Sequence, residues 1–278
     1  MVTRIITGVV GIVAAAFIIQ TGGVVFAGFA LLLSLLTYFE YTRAFQNIGK
    51  DPMFILGCLS IVAVWLTGFF HVMEHLAAII TGIIFLMLIM PVLLRRIVHF
   101  LDAALSVAGV LYVSLPFLYM MLLRDLYPDK ILATPFMEFS FGCAMIWTLF
   151  LCTWASDTFA YFVGSACGKH KLASYISPNK TMEGFLGSLV ASTVVGTVLG
   201  YLFGLPLIEM ALLGLLLAVV ATLGDLVESV AKRETHIKDS GNIIPGHGGV
   251  WDRFDSCLLF TISSCFLGSL QNNVFFAG

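Results

Sequence analysis

The sequence predicts an all-α fold: a polytopic transmembrane helical bundle of about nine spans, with its active site at the cytoplasmic helix ends. Three observations carry that expectation: a composition too apolar for water, apolar runs of bilayer length, and a lopsided placement of basic residues. Of the 278 residues 60% are hydrophobic and 11% are charged, where a soluble domain carries about a quarter charged. Fourteen basic and 16 acidic residues cannot cover the surface of a soluble chain this long. Soluble enzymes, nucleic-acid binders and disordered proteins are excluded on that ground. The net charge of −2 says little, because placement matters more than sum.

A bilayer crossing needs about 20 mostly apolar residues. Such runs fall near Ile5–Ile19, Val24–Tyr38, Met53–Phe70, Leu76–Leu94, Ala103–Leu123, Phe136–Val163, Phe185–Phe203, Leu207–Leu223 and Cys257–Phe276. The first, after Arg4, has the look of a signal-peptide core, but with so many spans after it a retained helix is the better reading. The sixth is long enough to be tilted or broken. One integral membrane unit results, with N-terminal helices over 1–135 and a catalytic region over 136–278. The six cysteines form no C-x-x-C pair and lie in or beside apolar runs, as buried small hydrophobes do.

Threading those spans puts Arg4, Arg43, Lys50, Arg95, Arg96, Lys169, Lys171, Lys180, Lys232, Arg233, Lys238 and Arg253 on the side of the N-terminus. Only Arg124 and Lys130 fall on the other. By the positive-inside rule the crowded side is cytoplasmic, which predicts a multi-pass protein of the inner (plasma) membrane.

Two polar segments break the apolar pattern, loops 164–184 and 224–256, both on the predicted cytoplasmic side. Asp225 and Glu228 are three apart, as are Asp252 and Asp255, so on helices each pair shares a face. Ionisable groups near the hydrocarbon boundary are costly and are functional candidates by default. Two such pairs would make an oxygen-rich site suited to Mg²⁺, which takes one or two carboxylates plus substrate phosphates. The plainer reading is interfacial ion pairing with Lys232, Arg233 and Arg253. Asp157, alone in an apolar run, is either a further metal or nucleotide contact or a buried carboxylate paired across helices. Lys169, Lys171 and Lys180 could serve as a positive-inside signal alone. However, Ser177-Pro-Asn-Lys180-Thr181-Met-Glu183 runs straight into an apolar helix, and a Ser or Thr helix start beside a lysine offers backbone N–H groups and charge to a phosphate. Pro245-Gly-His247-Gly-Gly is a turn that lets backbone approach a ligand. His247 there reads equally as a phosphate contact, a proton relay or a structural histidine.

These residues carry a resemblance. The order Ser229-x-x-Lys232-Arg233-x4-Lys238-Asp239, then Pro245-x-His247-Gly-Gly-x-x-Asp252-Arg253-x-Asp255, resembles the signature of the phosphatidate cytidylyltransferase (CDP-diacylglycerol synthase) family. It fixes a dozen positions over 27 residues. The upstream Gly168-Lys-His-Lys-Leu and Ser177-Pro-Asn-Lys-Thr-x-Glu-Gly strings are similar to bacterial members, and the matching segments together cover about Trp154 to Ser256. Ala231 and Trp251 depart from the usual residues, without removing a polar group.

The resemblance implies CTP + phosphatidate → CDP-diacylglycerol + pyrophosphate, with Mg²⁺ as cofactor and one ion or two left open. It names Asp225 and Asp252 as metal ligands, with Glu228 and Asp255 next. Lys180, Lys232, Arg233, Lys238 and Arg253 lead as phosphate contacts, and Asp239 as a nucleotide or metal contact. Lys169, Lys171, Ser177, Thr181, Glu183 and His247 complete the expected substrate-binding set. Expected partners are CTP, phosphatidate and the lipid bilayer, not nucleic acid, with a homodimer left open. The chemistry fits independently: the lipid phosphate monoester, with a second pKa of about 6, is already ionised and needs no strong base. Repulsion between anions is the obstacle, which cations and aligned donors remove. Rival readings are another CTP-dependent membrane lipid enzyme (polyprenol or phytol kinase-like) and an ion-coupled transporter.

Overall fold

The computed structural model describes residues 2–95, 97–135, 137–241, 243 and 248–254, with residues 2–6 as backbone. The expected ninth span, Cys257–Phe276, and the candidate residues Asp255 and His247 lie outside the described residues. The rest is helical, apart from two short hairpins: an all-α, multi-pass membrane protein. Among the described residues six helices are long and apolar enough to cross a bilayer, at Gly23–Gln46, Met73–Leu93, Phe100–Arg124, Phe141–Cys167, Met182–Leu202 and Leu207–Glu234. The first and third predicted runs are helical too, at Val2–Thr21 and, as a shorter apolar helix, at Phe54–Phe69. The 16 residues of the latter reach only about 24 Å of a hydrocarbon core about 30 Å thick.

The chain forms two compact units. One comprises Met1–Leu122 and Ala231–Phe254, the other Leu123–Val230 among the described residues.

The first unit holds α1 (Val2–Thr21), α2 (Gly23–Gln46), α3 (Phe54–Phe69), a 3-10 turn at Met73–His75, α4 (Leu76–Leu93) and most of α5 (Phe100–Arg124). Polar groups inside an apolar bundle need protein partners, and here they tie helices and loops together. Trp65 Nε1–H donates to the Ala27 carbonyl at 2.9 Å. The Tyr41 hydroxyl donates to Leu105 O at 3.0 Å. The loop from α2 to α3 is fastened to the start of α5, since Asp51 N–H donates to Asp102 Oδ1 at 3.0 Å and Met53 N–H to Ser106 Oγ at 2.8 Å. Asp102 also accepts from His99 N–H at 3.1 Å, the reach-back half of a capping box.

The second unit holds the hairpin β1 (Ile131–Ala133) and β2 (Glu138–Ser140), α6 (Phe141–Cys167), the hairpin β3 (Lys171–Ala173) and β4 (Ser177–Thr181), α7 (Met182–Leu202) and most of α8 (Leu207–Glu234). Small residues let its helices approach closely, as membrane bundles require. A Cβ on Gly184 would lie 2.6 Å from Ala160 O, and one on Gly196 2.6 Å from Met210 O. Ser192 Oγ–H donates to Gly214 O at 2.7 Å, joining α7 to α8.

Three sequence expectations are corrected here. The sixth run is one unbroken helix, α6, starting at Phe141 because β2 takes the residues before it. The segment 164–184 is not a plain loop: α6 continues to Cys167 and an antiparallel hairpin follows, pairing Lys171 with Thr181 and Ala173 with Ser177. The segment 224–256 is helical through Glu234, so Asp225, Glu228, Lys232 and Arg233 all belong to α8.

Candidate active site

In the second unit four candidate residues, Asp157, Lys180, Thr181 and Asp225, line one cavity of about 280 Å³, whereas Lys169, Lys171, Ser177, Glu183 and Glu228 do not. Helix α6 contributes Ser156, Asp157 and Tyr161, strand β4 Asn179, Lys180 and Thr181, α7 Phe185, and α8 Thr222 and Asp225. Lys180 forms an ion pair with Asp225, and Ser229 Oγ–H donates to the other Asp225 oxygen at 3.3 Å. Both members of the pair keep water access, Lys180 at 24% and Asp225 at 39% side-chain exposure. A pair this open stabilises a fold by about 0–1 kcal/mol, too little to account for an ion pair set in a membrane helix. The cavity leaves both charged groups within reach of a small ligand. Asp157 lines this cavity and is exposed, not buried. Glu228 lies further along α8 and is 2% exposed.

The start of α7 differs from expectation in its donors. Thr181 is the N-cap, as its position before the apolar run foretold, and its Oγ1 accepts from Gly184 N–H at 3.1 Å. Met182 N–H donates to His170 O at 2.8 Å. With those N–H groups engaged, the start of α7 offers fewer open donors than expected, and Lys180 is the cation beside it. The Glu183 carboxylate accepts from the Lys169 and His170 amides at 3.1 and 3.2 Å and meets His170 Nδ1 at 2.7 Å. Glu183 therefore shapes the hairpin that carries Lys169, Lys171, Ser177 and Lys180. Lys169 and Lys171 are exposed and Ser177 is half-buried.

In the first unit Asp252 ties together the described signature residues on either side of the turn. Helix α8 ends with His236 at a φ of +56° and Ile237 N–H returning to Lys232 O at 3.0 Å, a Schellman-type stop. The chain returns at α9 (Trp251–Phe254), a single turn. Asp252 Oδ1 takes Lys232 Nζ at 3.0 Å and Ser240 N–H at 3.1 Å, and Oδ2 takes Gly249 N–H at 2.9 Å. Its side chain is 8% exposed. Gly248 has a φ of +86°, and a Cβ there would lie 2.7 Å from Asp252 Oδ2, so only glycine fits without strain. Trp251, unexpected from the sequence, is buried against Tyr41 and Tyr112 with ring centroids 5.5 and 6.4 Å away. It anchors α9. Arg233, Lys238, Asp239 and Arg253 are exposed. One participant escaped the sequence reading: Glu40 of α2, which accepts hydrogen bonds from Ser240, Val250 and Trp251. An acid in the apolar stretch 23–46 was the available signal, lost because the run was closed at Tyr38.

A family model described as the cytidylyltransferase family matches residues 2–270. The chain belongs to the cytidylyltransferase family. It is similar to a phosphatidate cytidylyltransferase of Staphylococcus haemolyticus (strain JCSC1435), 34% identical over 92% of this chain and 94% of the relative. One from Bacillus subtilis (strain 168) is 33% identical over 93% of this chain and 94% of the relative. One from Staphylococcus aureus (strain COL) is 34% identical over 92% and 94%. The resemblance read from the signature segments thus holds along nearly the whole chain. Among the described residues no three His, Cys, Asp or Glu side chains cluster as a metal site.

Proposed function

We propose that the chain transfers the cytidylyl group of CTP to phosphatidate, giving CDP-diacylglycerol and pyrophosphate. Family membership and the named relatives support the reaction. The observation that carries it into this chain's own chemistry is the exchangeable Lys180–Asp225 pair in an open cavity. A phosphate oxygen of the lipid attacks the α-phosphorus of CTP, forming the new P–O bond as the bond to pyrophosphate breaks. Lys180 leaves Asp225 for a phosphate oxygen and offsets the repulsion between the two anions. Arg253, Lys232, Arg233 and Lys238 are proposed as further phosphate contacts, and Asp239 as a nucleotide contact. Exposed Lys169 and Lys171 draw the anionic substrates in.

The donor set suits Mg²⁺, which takes one or two carboxylates and fills its shell with phosphate oxygens and water. Asp225 offers an accessible carboxylate, with Asp157 in the same cavity lining. When bound there, the ion would neutralise triphosphate charge, including that developing on the departing pyrophosphate. Asp252, Glu228 and Asp255 stand as further proposed ligands. The same reading places both polar segments on the cytoplasmic side of an inner membrane crossed about nine times. The 12-to-2 division of basic residues supports it.

The deciding experiment incubates purified protein and phosphatidate with CTP labelled either at the α- or at the γ-phosphate. Cytidylyl transfer sends the α-label into the lipid phase and the γ-label into pyrophosphate. A γ-label in the lipid phase would make the protein a CTP-dependent kinase and overturn the proposal.

A further inference from the structure

Glu40 lies near the C-terminal end of α2, and its side chain is 1% exposed. A carboxylate buried in a membrane helix is costly unless donors surround it. The donors it has come from a segment about 200 residues later in the chain. Ser240 Oγ–H donates to Oε2 at 3.0 Å, Val250 N–H to Oε1 at 3.0 Å, and Trp251 N–H to Oε2 at 2.7 Å. These three bonds bracket the glycine-rich part of the signature, with Ser240 at its entrance and Val250–Trp251 at its exit. Asp252 brackets the same stretch through Ser240 N–H and Gly249 N–H. Ser240 is shared, its N–H held by Asp252 and its hydroxyl by Glu40. Two glycines let the backbone press against the buried acid. A Cβ on Gly241 would lie 2.6 Å from Glu40 Oε1, and one on Gly249 would collide with Ser240 Oγ and the Glu40 carboxylate.

We propose that Glu40 is a positioning residue: a buried anion that holds Ser240 to Val250 and Trp251 and so sets Asp252 and Arg253, the next two residues, without touching substrate. Only a carboxylate serves, because both oxygens accept. An amide would turn an NH₂ group toward N–H donors, and aspartate is one methylene short. The kinetic consequence rests on the cytidylyl-transfer reading; the loop closure does not.

The test uses full-length protein in detergent micelles, as Glu40→Gln and Ser240→Ala, with two readouts. The first is tryptic cleavage after exposed Lys238, two residues before Ser240, compared with cleavage after exposed Lys171. The second is kcat and KM for CTP and phosphatidate. Losing hydrogen bonds to a charged group should raise Lys238 cleavage about tenfold or more in Glu40→Gln, with Lys171 cleavage unchanged. kcat should fall about tenfold or more while both KM values stay within about threefold. Ser240→Ala should move the same way by less. Wild-type cleavage at Lys238 in Glu40→Gln would overturn the proposal. So would a matching rise at Lys171, which would make Glu40 a support of the whole fold. Should Glu40→Gln not extract as folded protein, Ser240→Ala decides: unchanged cleavage and turnover would overturn the proposal. If no variant, wild type included, transfers cytidylyl groups but Lys238 cleavage rises as described, the function reading fails and the loop closure stands.

Discussion

Asp225 and Asp252 are chemically identical side chains on which the sequence conferred the same role, yet their surroundings differ. Asp225 is 39% exposed in an open cavity and holds one lysine and one hydroxyl. Asp252 is 8% exposed and takes Lys232 and the Ser240 and Gly249 amides. A carboxylate has about four lone-pair sites. Asp225 holds fewer donors and keeps acceptor capacity in the cavity, whereas Asp252 also carries backbone amides of its own loop, with which a cation proposed there would compete. A motif records that an acid is present; the donors around it show which one also holds backbone.

Substitutions can break that comparison, and the largest effect is expected at the open carboxylate. Asp225→Asn should lower kcat by about 10³-fold or more, the scale of losing a metal-holding charge or a preorganised electrostatic contact. Its thermal midpoint should stay within about 3 °C of wild type, because exposed pairs contribute little. Turnover in mixed micelles and a thermal melt check both. Asp252→Asn should lower kcat by about 10²-fold and also open the loop, read as faster tryptic cleavage after Lys238. Cleavage unchanged in Asp252→Asn, or raised in Asp225→Asn, would dissolve the distinction.

The legible part of this molecule was set by long-range averages. A bilayer demands a long apolar run, so α2, α4, α5, α7 and α8 could be read from run length, and Thr181 before the seventh run gave away a helix cap. Local reversals were not legible. Strand β4 reads Ser-Pro-Asn-Lys-Thr, with no alternation of apolar residues and a proline in it, and is held by its partner β3, whose approach Glu183 fastens through the Lys169 and His170 amides, rather than by propensity. Helix α8 outran its apolar stretch, because hydropathy ends near Leu223 while Asp225, Glu228, Ser229 and Lys232 continue at helical spacing. Glu40 was hidden for the opposite reason: its partners lie about 200 residues away, where no local pattern reaches.

Smaller effects sharpen the picture. Gly248→Ala forces a side chain into the left-handed region, costing about 1–2 kcal/mol, and aims a methyl group at Asp252 Oδ2. kcat/KM should fall about tenfold, with Lys238 cleavage rising in parallel; normal kinetics would mean that the loop tolerates distortion. Lys169→Ala and Lys171→Ala sit at the weak end, because both side chains are exposed. Each should raise KM for CTP or phosphatidate by about two- to fivefold with kcat unchanged, the mark of lost uniform binding.

The most direct measurement concerns the Lys180–Asp225 pair, since it decides between a structural ion pair and one that exchanges for substrate. Lys180→Met keeps the length of the side chain and removes its charge. If the pair serves substrate, kcat/KM falls by about 10²-fold or more while the thermal midpoint moves by less than about 3 °C. A midpoint lowered by many degrees, with normal turnover from the protein that remains folded, would show that the pair holds the fold together and contradict the account.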